Sequence, residues 1–358
     1  MRYRILVRGA LVQFSRALGV LLVSLAALGC GTLSYLAQAG YGQREITLEA
    51  RPLDEAIRDP EVEPATRALL AEIPAIKAFG ERHGLTPTKS YAKYVDLHRR
   101  YVVWVVTACA PLAFRSKVWS FPIVGGVTYL GWFHGRDAAA HARRLLAAGW
   151  DVDVRGSTAY STLGWFDDPV LSTMLAGGDG AIIGLSETVL HESLHATLYV
   201  KNQSPFDESV ATWVGDRLGE AYLVETRGEG APEVRALRAG AREGARRAEI
   251  LHHGYETLEQ LYASPKSNDE KLAEKRALVA ELERAVAATR PITNATLVQF
   301  RTYHSGTAEL DALHAACGRS FPRTIAALRR GAPAAFRGPQ DEDVAAVYST
   351  IAAVGCPD

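Results

Sequence analysis

Charge of one sign is what this chain lacks. Its 358 residues carry 40 Lys and Arg against 40 Asp and Glu, a formal net charge of zero. No broad basic surface argues for a nucleic-acid partner, so function must come from a local site. Cysteine is scarce at four residues, and no pair has a metal-ligand spacing such as C-x-x-C. No internal repeat is present, which excludes a solenoid. Apolar residues make up 48% of the chain, which excludes disorder. The length suggests about two domains and is ample for a real core.

The N-terminus reads as a targeting segment. Arg2, Arg4, Arg8 and Arg16 form a basic region, and no charge occurs from Ala17 to Gln43. Within that run, Leu28-Gly29-Cys30 resembles a bacterial lipoprotein cleavage site, which would make Cys30 the acylated first residue of the mature chain. The alternative is an uncleaved signal anchor, since the uncharged run is long enough to span a bilayer. Either way the arginines stay inside and the body of the protein lies outside the cytoplasm. Of the remaining cysteines, Cys109, Cys317 and Cys356, two can form a disulfide in an oxidising compartment, or all three can be buried thiols.

After a tether to about Ala50, periodicity predicts a helix over Glu63–His83 that Pro74 kinks or splits, and another over Tyr91–Arg100. Tyr101–Val106 reads as a buried strand, and Val118–Phe133 as a hairpin around Gly125-Gly126. Asp137–Ala148 should be a helix closed by Gly149, with strands at Asp151–Val154 and Thr158–Leu163. Asp167-Asp168-Pro169 has the form of a helix start, ended by Gly177–Gly180. Ser204-Pro205-Phe206-Asp207 looks like a second start, with Ser204 as cap and Asp207 as its partner, for a helix running to about Glu225. Ala231–Ala263, Asp269–Thr289 and Asp341–Val354 are helical in pattern, and their mixed charges are solvated faces.

The chemistry centres on another absence. Neither Pro nor Gly occurs between Leu185 and Lys201, so this stretch can be one helix. It contains His191-Glu192-Ser193-Leu194-His195. Four residues of helix rise about 6 Å and nearly complete a turn, so both imidazoles leave one face and can reach a single Zn2+. Glu192 lies beside that metal, positioned to take a proton from its water. A third ligand is needed. A histidine six residues after His195 would mark a metzincin, but Lys201 stands there. The next helix supplies Asp207 and Glu208. Glu208 shares a face with Ala211, Thr212, Gly215 and Gly219, small residues that let the two helices approach closely, whereas Asp207 has the capping role. Glu208 is therefore the expected ligand, set against the plainer view that both are first-turn acids favoured by the helix dipole. Tyr160, Tyr199, His252, His253 and Tyr255 are candidates for a second transition-state donor. Ala159–Gly164, with Tyr160, Ser161 and Thr162, could pair with an extended peptide substrate.

Several blocks carry a family resemblance: Ser90-Tyr91, Tyr101–Trp104, Phe121–Phe133, Ala159–Leu171, His191–His195 and Phe206–Ser209. Together and in this order they resemble the bacterial family labelled putative aminopeptidases, zinc-dependent and often lipoproteins. Relatives commonly have Asn where Asp207 stands, which points again to Glu208. They also often have Cys where Ser120 and Gly126 stand, as if a disulfide had been lost here as a unit. The resemblance implies a free-amine anchor, for which Asp167, Asp168 and Glu187 are available.

The expected architecture is α+β. A signal peptide over residues 1–29 and a lipid-anchored tether over 30–50 precede a zincin-like part over 51–225, with a small mixed or antiparallel sheet and the His-Glu helix. An α-helical part over 226–358 packs on it. The expected activity is peptide hydrolysis with one zinc per chain, His191, His195 and Glu208 as ligands and Glu192 as base. Peptide substrate and, through Cys30, the membrane are the expected partners. A non-catalytic zinc- or peptide-binding envelope lipoprotein is the alternative, although such a protein has no need of Glu192.

Overall fold

A computed structural model describes residues 30–121, 125–160, 167–304 and 306–357. Chain contacts separate the stretch up to Leu48 from a compact unit beginning at Glu49. The stretch read as a tether is helix α1 (Cys30–Glu49). Among the described residues no helix is long and apolar enough to cross a membrane.

The compact unit opens with β1 (Arg51–Pro52), α2 (Leu53–Arg58) and α3 (Pro64–Arg82). Pro74 lies inside α3 without splitting it. Leu70, Ile73, Ile76 and Phe79 form a fully buried stripe along that helix, and their packing outweighs the one hydrogen bond the proline removes. The helix expected over Tyr91–Arg100 is instead β2 (Lys93–Val95) between bends. Tyr91 and His98 both have positive φ, which no helix accommodates. Helical spacing misread a segment whose Tyr94 and Val95 are buried by pairing with β8 (Val170–Leu171). That pairing also replaces the helix expected after Asp168-Pro169. A short parallel strand and a 3-10 turn over Ser172–Leu175 stand there.

The main sheet is antiparallel, in the order β6 (Tyr129–Trp132), β3 (Val103–Cys109), β7 (Asp151–Ser157). Side chains alternate between faces along β3. Trp104 meets helix α4 (Gly135–Ala147) on one face, while Cys109 on the other packs with Ala295 and Val298 of α9 (Asn294–His304). A hairpin does form in Val118–Phe133, between β4 (Trp119–Phe121) and β5 (Gly125–Val127), but Gly125 and Gly126 lie within β5 rather than at the turn, and Tyr129–Trp132 pairs with β3 instead. The hairpin register sets Ser120 directly opposite Gly126, the two positions where the resembling family often has cysteines. The strand expected from Thr158 does not form over Thr158–Tyr160, and Ser161–Phe166 lie outside the described residues.

The site helices follow as α5 (Ala181–Thr197) and α6 (Ser204–Arg227). Beyond them the described elements are helical: α7 (Pro232–Ala263), α8 (Asn268–Ala285), α9, α10 (Thr307–Ala316), α11 (Phe321–Gly331) and α12 (Val344–Val354), with one short 3-10 turn. The elements α9 to α11 fall in the part expected to be α-helical, but their bounds were not given, because short helices between glycines and prolines leave little periodicity to read. Ion pairs join this half to the sheet. Lys275 and the Asn294 backbone both bond Asp151, and Arg290 bonds Asp153. Cys317 and Cys356 form a disulfide with Cα atoms 5.3 Å apart, and Cys109 is a buried thiol.

Candidate metal centre

Helix α5 presents two faces. Leu185, Val189, Leu190 and Leu194 are buried, and Leu190 packs so closely on α3 that a Cβ at Gly80 would come within 2.8 Å of it. Burying such side chains stabilises by about 1.5–3 kcal/mol each. The other face carries Glu187, His191 and His195 and meets α6. A Cβ at Gly215 would lie 2.9 Å from the Glu187 carbonyl oxygen and 3.0 Å from the His191 Cβ, and one at Gly219 would lie 2.9 Å from the Glu187 Cγ. The small-residue face of α6 therefore permits a backbone approach that no larger side chain would allow.

The approach brings Glu208 to the histidines. The two Nε2 atoms are 3.2 Å apart, and the Glu208 Oε2 lies 3.6 Å from that of His191 and 3.9 Å from that of His195. A tetrahedral ion with bonds of about 2.0–2.1 Å needs ligand atoms about 3.3–3.5 Å apart. The edges here, 3.2, 3.6 and 3.9 Å, straddle that range, and the point about 2.1 Å from all three atoms lies in their plane, so closing the two wider edges by a few tenths of an ångström would seat one ion of zinc's size tetrahedrally. Among the described residues these three form a cluster able to hold a metal ion.

Electrostatics agree with the distances. Burial works to raise the Glu208 carboxyl, but His191, the charge of His195 and the Tyr129 hydroxyl hold it down at about 2. Burial pushes His195 down to about 4, with Glu208 opposing the shift and His191 adding to it. His191 is raised, because Glu208 and Glu192 outweigh its burial. The centre thus keeps an ionised carboxylate beside a neutral His195. The Tyr129 hydroxyl donates to Glu208 Oε1 at 3.1 Å. These partners keep a deeply buried carboxylate ionised, and a cation at the shared point would stabilise that charge further.

Asp207 does other work. Its Oδ1 accepts from the Val200 backbone N–H at 2.8 Å, pinning the short connector between α5 and α6. It is not the partner of a capping serine, since Gln203 is the cap residue of α6 and makes no side-chain cap. Burial pushes Asp207 up to about 8 against that hydrogen bond.

The other expected residues divide. Glu192 follows His191 on α5, close enough that its charge adds to the raised pKa of buried Tyr91. Tyr160 packs edge-on against Phe133, 5.3 Å between ring centroids, while Ser161 and Thr162 lie outside the described residues. Tyr199 feels the charges of Asp207 and Glu208. His252 and His253 are exposed on α7, and Tyr255 stacks on Phe114 and donates to Glu259, so these three serve the helical half. Of the amine-anchor candidates, Asp167 is exposed and Asp168 is tied through its backbone to Ser90 and Tyr91. Glu187 lies half-buried one turn before His191. Tyr129 was missed. In sequence it is one aromatic of a strand, and only the sheet register aims its hydroxyl at a residue of α6.

The sequence profile of a family described as "Putative aminopeptidase" matches residues 34–335. The chain belongs to this family. As a member of the putative aminopeptidase family it is a peptidase-type hydrolase, and the match extends from α1 through the helical half as far as α11. No curated protein and no solved structure matches the chain.

Proposed function

We propose that this chain is a zinc aminopeptidase of zincin-like type that removes N-terminal residues from peptides, with one zinc held by His191, His195 and Glu208. The observation that carries the reading is the triangle of donor atoms, 3.2, 3.6 and 3.9 Å on its edges, on a helix that also bears Glu192. When bound, zinc supplies a Lewis acid that polarises a peptide carbonyl and makes water acidic near neutral pH. Glu192 accepts a proton as water oxygen bonds the carbonyl carbon, then returns it to the amine nitrogen as the C–N bond breaks. Tyr129 holds the Glu208 carboxylate in orientation through its second oxygen.

Glu192→Gln tests the reading. It should keep stoichiometric zinc and lose at least about 100-fold in peptide hydrolysis, because an amide cannot take the proton. A zinc-replete Glu192→Gln protein with full activity would overturn it, and wild-type protein inactive after metal add-back would favour the binding lipoprotein.

We also propose an extracytoplasmic, lipid-anchored location through Cys30. The Cys317–Cys356 disulfide supports it, since disulfides persist in oxidising compartments. Mass spectrometry of membrane-extracted protein should find a mature chain beginning at a modified Cys30. An intact Met1 would replace this with a signal anchor.

A further inference from the structure

The segment from Leu85 to Tyr91 joins α3 to β2 and is fastened to α5, the helix of His191, Glu192 and His195. The Thr86 backbone N–H donates to Thr197 Oγ1 at 2.9 Å, and that hydroxyl donates to the Ser193 carbonyl at 2.8 Å. Lys77 of α3 donates to the Thr88 and Ser90 carbonyls. The Tyr91 N–H donates to the Asp168 carbonyl at 2.6 Å. The segment is thus held along its length, and it delivers Tyr91 to the neighbourhood of Glu192.

Tyr91 is costly there in two ways. Its φ of 66° lies in the left-handed region, where a side chain costs about 1–2 kcal/mol and glycine costs nothing. Residues held in such conformations concentrate at functional sites. Tyr91 is also only 4% exposed. What acts on its phenol is burial and the charges of Glu192 and then Asp168, with no hydrogen bond among these influences. Burying a hydroxyl without a hydrogen bond costs about 1–3 kcal/mol, and phenylalanine fills the same space without that cost. Packing therefore explains the ring but not the oxygen.

We infer that Tyr91 is a catalytic residue whose hydroxyl donates a hydrogen bond to the scissile carbonyl oxygen as that oxygen gains negative charge. The inference rests on the peptidase reading, which puts the reacting carbonyl beside Glu192. Burial and the two carboxylates keep the phenol protonated, so it stays a donor near neutral pH. A donor fixed in place beforehand, with no bond to give up, needs no reorganisation when the charge appears. Tyr199, the other phenol that feels the charge of Glu208, is 37% exposed, and water competes for it.

Tyr91→Phe in the zinc-loaded protein tests this. Hydrolysis is measured on Leu-Ala, Phe-Ala and Lys-Ala. Binding is measured by calorimetry with a phosphinic analogue of Leu-Ala, whose tetrahedral phosphorus carries the oxyanion. The variant should keep stoichiometric zinc and the wild-type urea midpoint, keep KM, and lose about 10²–10³-fold in kcat. The phosphinic analogue should bind it at least about ten-fold more weakly than it binds wild type. Uncleaved Leu-Ala should bind Glu192→Gln and Glu192→Gln/Tyr91→Phe equally. A Tyr91→Phe protein within about two-fold of wild-type kcat, or one that loses Leu-Ala and the phosphinic analogue alike, overturns the inference. Cleavage that does not depend on Tyr91 removes the donor and leaves the peptidase. Weaker phosphinic binding in Tyr91→Phe, with no peptide cleaved by wild type, does the reverse. A phosphinic analogue that fails to bind wild type sinks both.

Discussion

Adding one methyl group to α6 should do opposite things at two glycines one turn apart. At Gly215 a Cβ would meet the Glu187 carbonyl oxygen at 2.9 Å and the His191 Cβ at 3.0 Å. Ordinary contact begins near 3.4 Å, so α5 must retreat by about 0.4–0.5 Å. Both contacts are backbone or backbone-proximal, and neither can rotate away. Alanine gains about 1 kcal/mol over glycine in helix propensity, but overpacking costs about 1–3 kcal/mol. Gly215→Ala should therefore destabilise by up to about 2 kcal/mol. The retreat also draws the His191 imidazole away from Glu208, already 3.6 Å distant, and zinc affinity should fall about 10- to 100-fold, as when the support of a ligand is lost. At Gly219 the nearest atom is the Glu187 Cγ, part of a flexible side chain. Gly219→Ala should be neutral or stabilising by up to about 1 kcal/mol and leave zinc affinity intact. Urea unfolding and zinc titration against a chromophoric chelator would be run on both variants. Equal effects, or a greater loss at Gly219, would refute the view that helix proximity sets the metal geometry.

Three further outcomes follow from the same contacts. Glu208→Gln should lower zinc affinity sharply while Asp207→Asn is mild, since only Glu208 faces the histidines and an Asn can still accept from Val200; chelator competition showing equal losses would mean that general charge, not ligation, holds the metal. Reducing Cys317–Cys356, which closes a separation of 39 residues, should cost about 3–4 kcal/mol in unfolding free energy, and an unchanged denaturation midpoint would count against that bond. Glu187 is raised by burial, and by Asp216, to about 7 from an ordinary 4.5. The folded state thus holds its proton more tightly, so this stability is present below about pH 4.5 and is lost as pH rises towards 7. In metal-free protein at pH 8, Glu187→Gln should therefore be more stable than wild type by roughly 1–3 kcal/mol, with the difference gone at pH 4; a difference independent of pH would show that Glu187 is not held neutral.

Much of the chemistry was legible in one dimension. His-Glu-x-x-His needs only helical geometry to put two imidazoles on one face, and the helix was visible because no Pro or Gly interrupts it. Glu208 was legible through its neighbours, since a stripe of Ala211, Gly215 and Gly219 has meaning only if another helix lies against it. Local pattern failed where pairing partners were remote. Tyr94 and Val95 are buried by Val170 and Leu171, some 75 residues on, and no window around Tyr91–Arg100 contains that information. Capping chemistry failed at Asp207 for a similar reason. The residue type suited a helix start, but the connector it closes, Val200 to Gln203, bends back only because Leu198 leaves the helical conformation.

By itself, then, the sequence determined the elements whose cause is local: the His-Glu helix, the presence of a hairpin within Val118–Phe133, the zero net charge and the narrow choice of third ligand. Tertiary structure alone decided how closely Glu208 approaches the two histidines and that Tyr129 bonds it. It also decided which two of three cysteines pair. Each of these depends on the distance between atoms far apart in the chain. Such distances follow from how α5, α6, α9 and the main sheet pack together, and side-chain volume and burial across the whole unit set that packing.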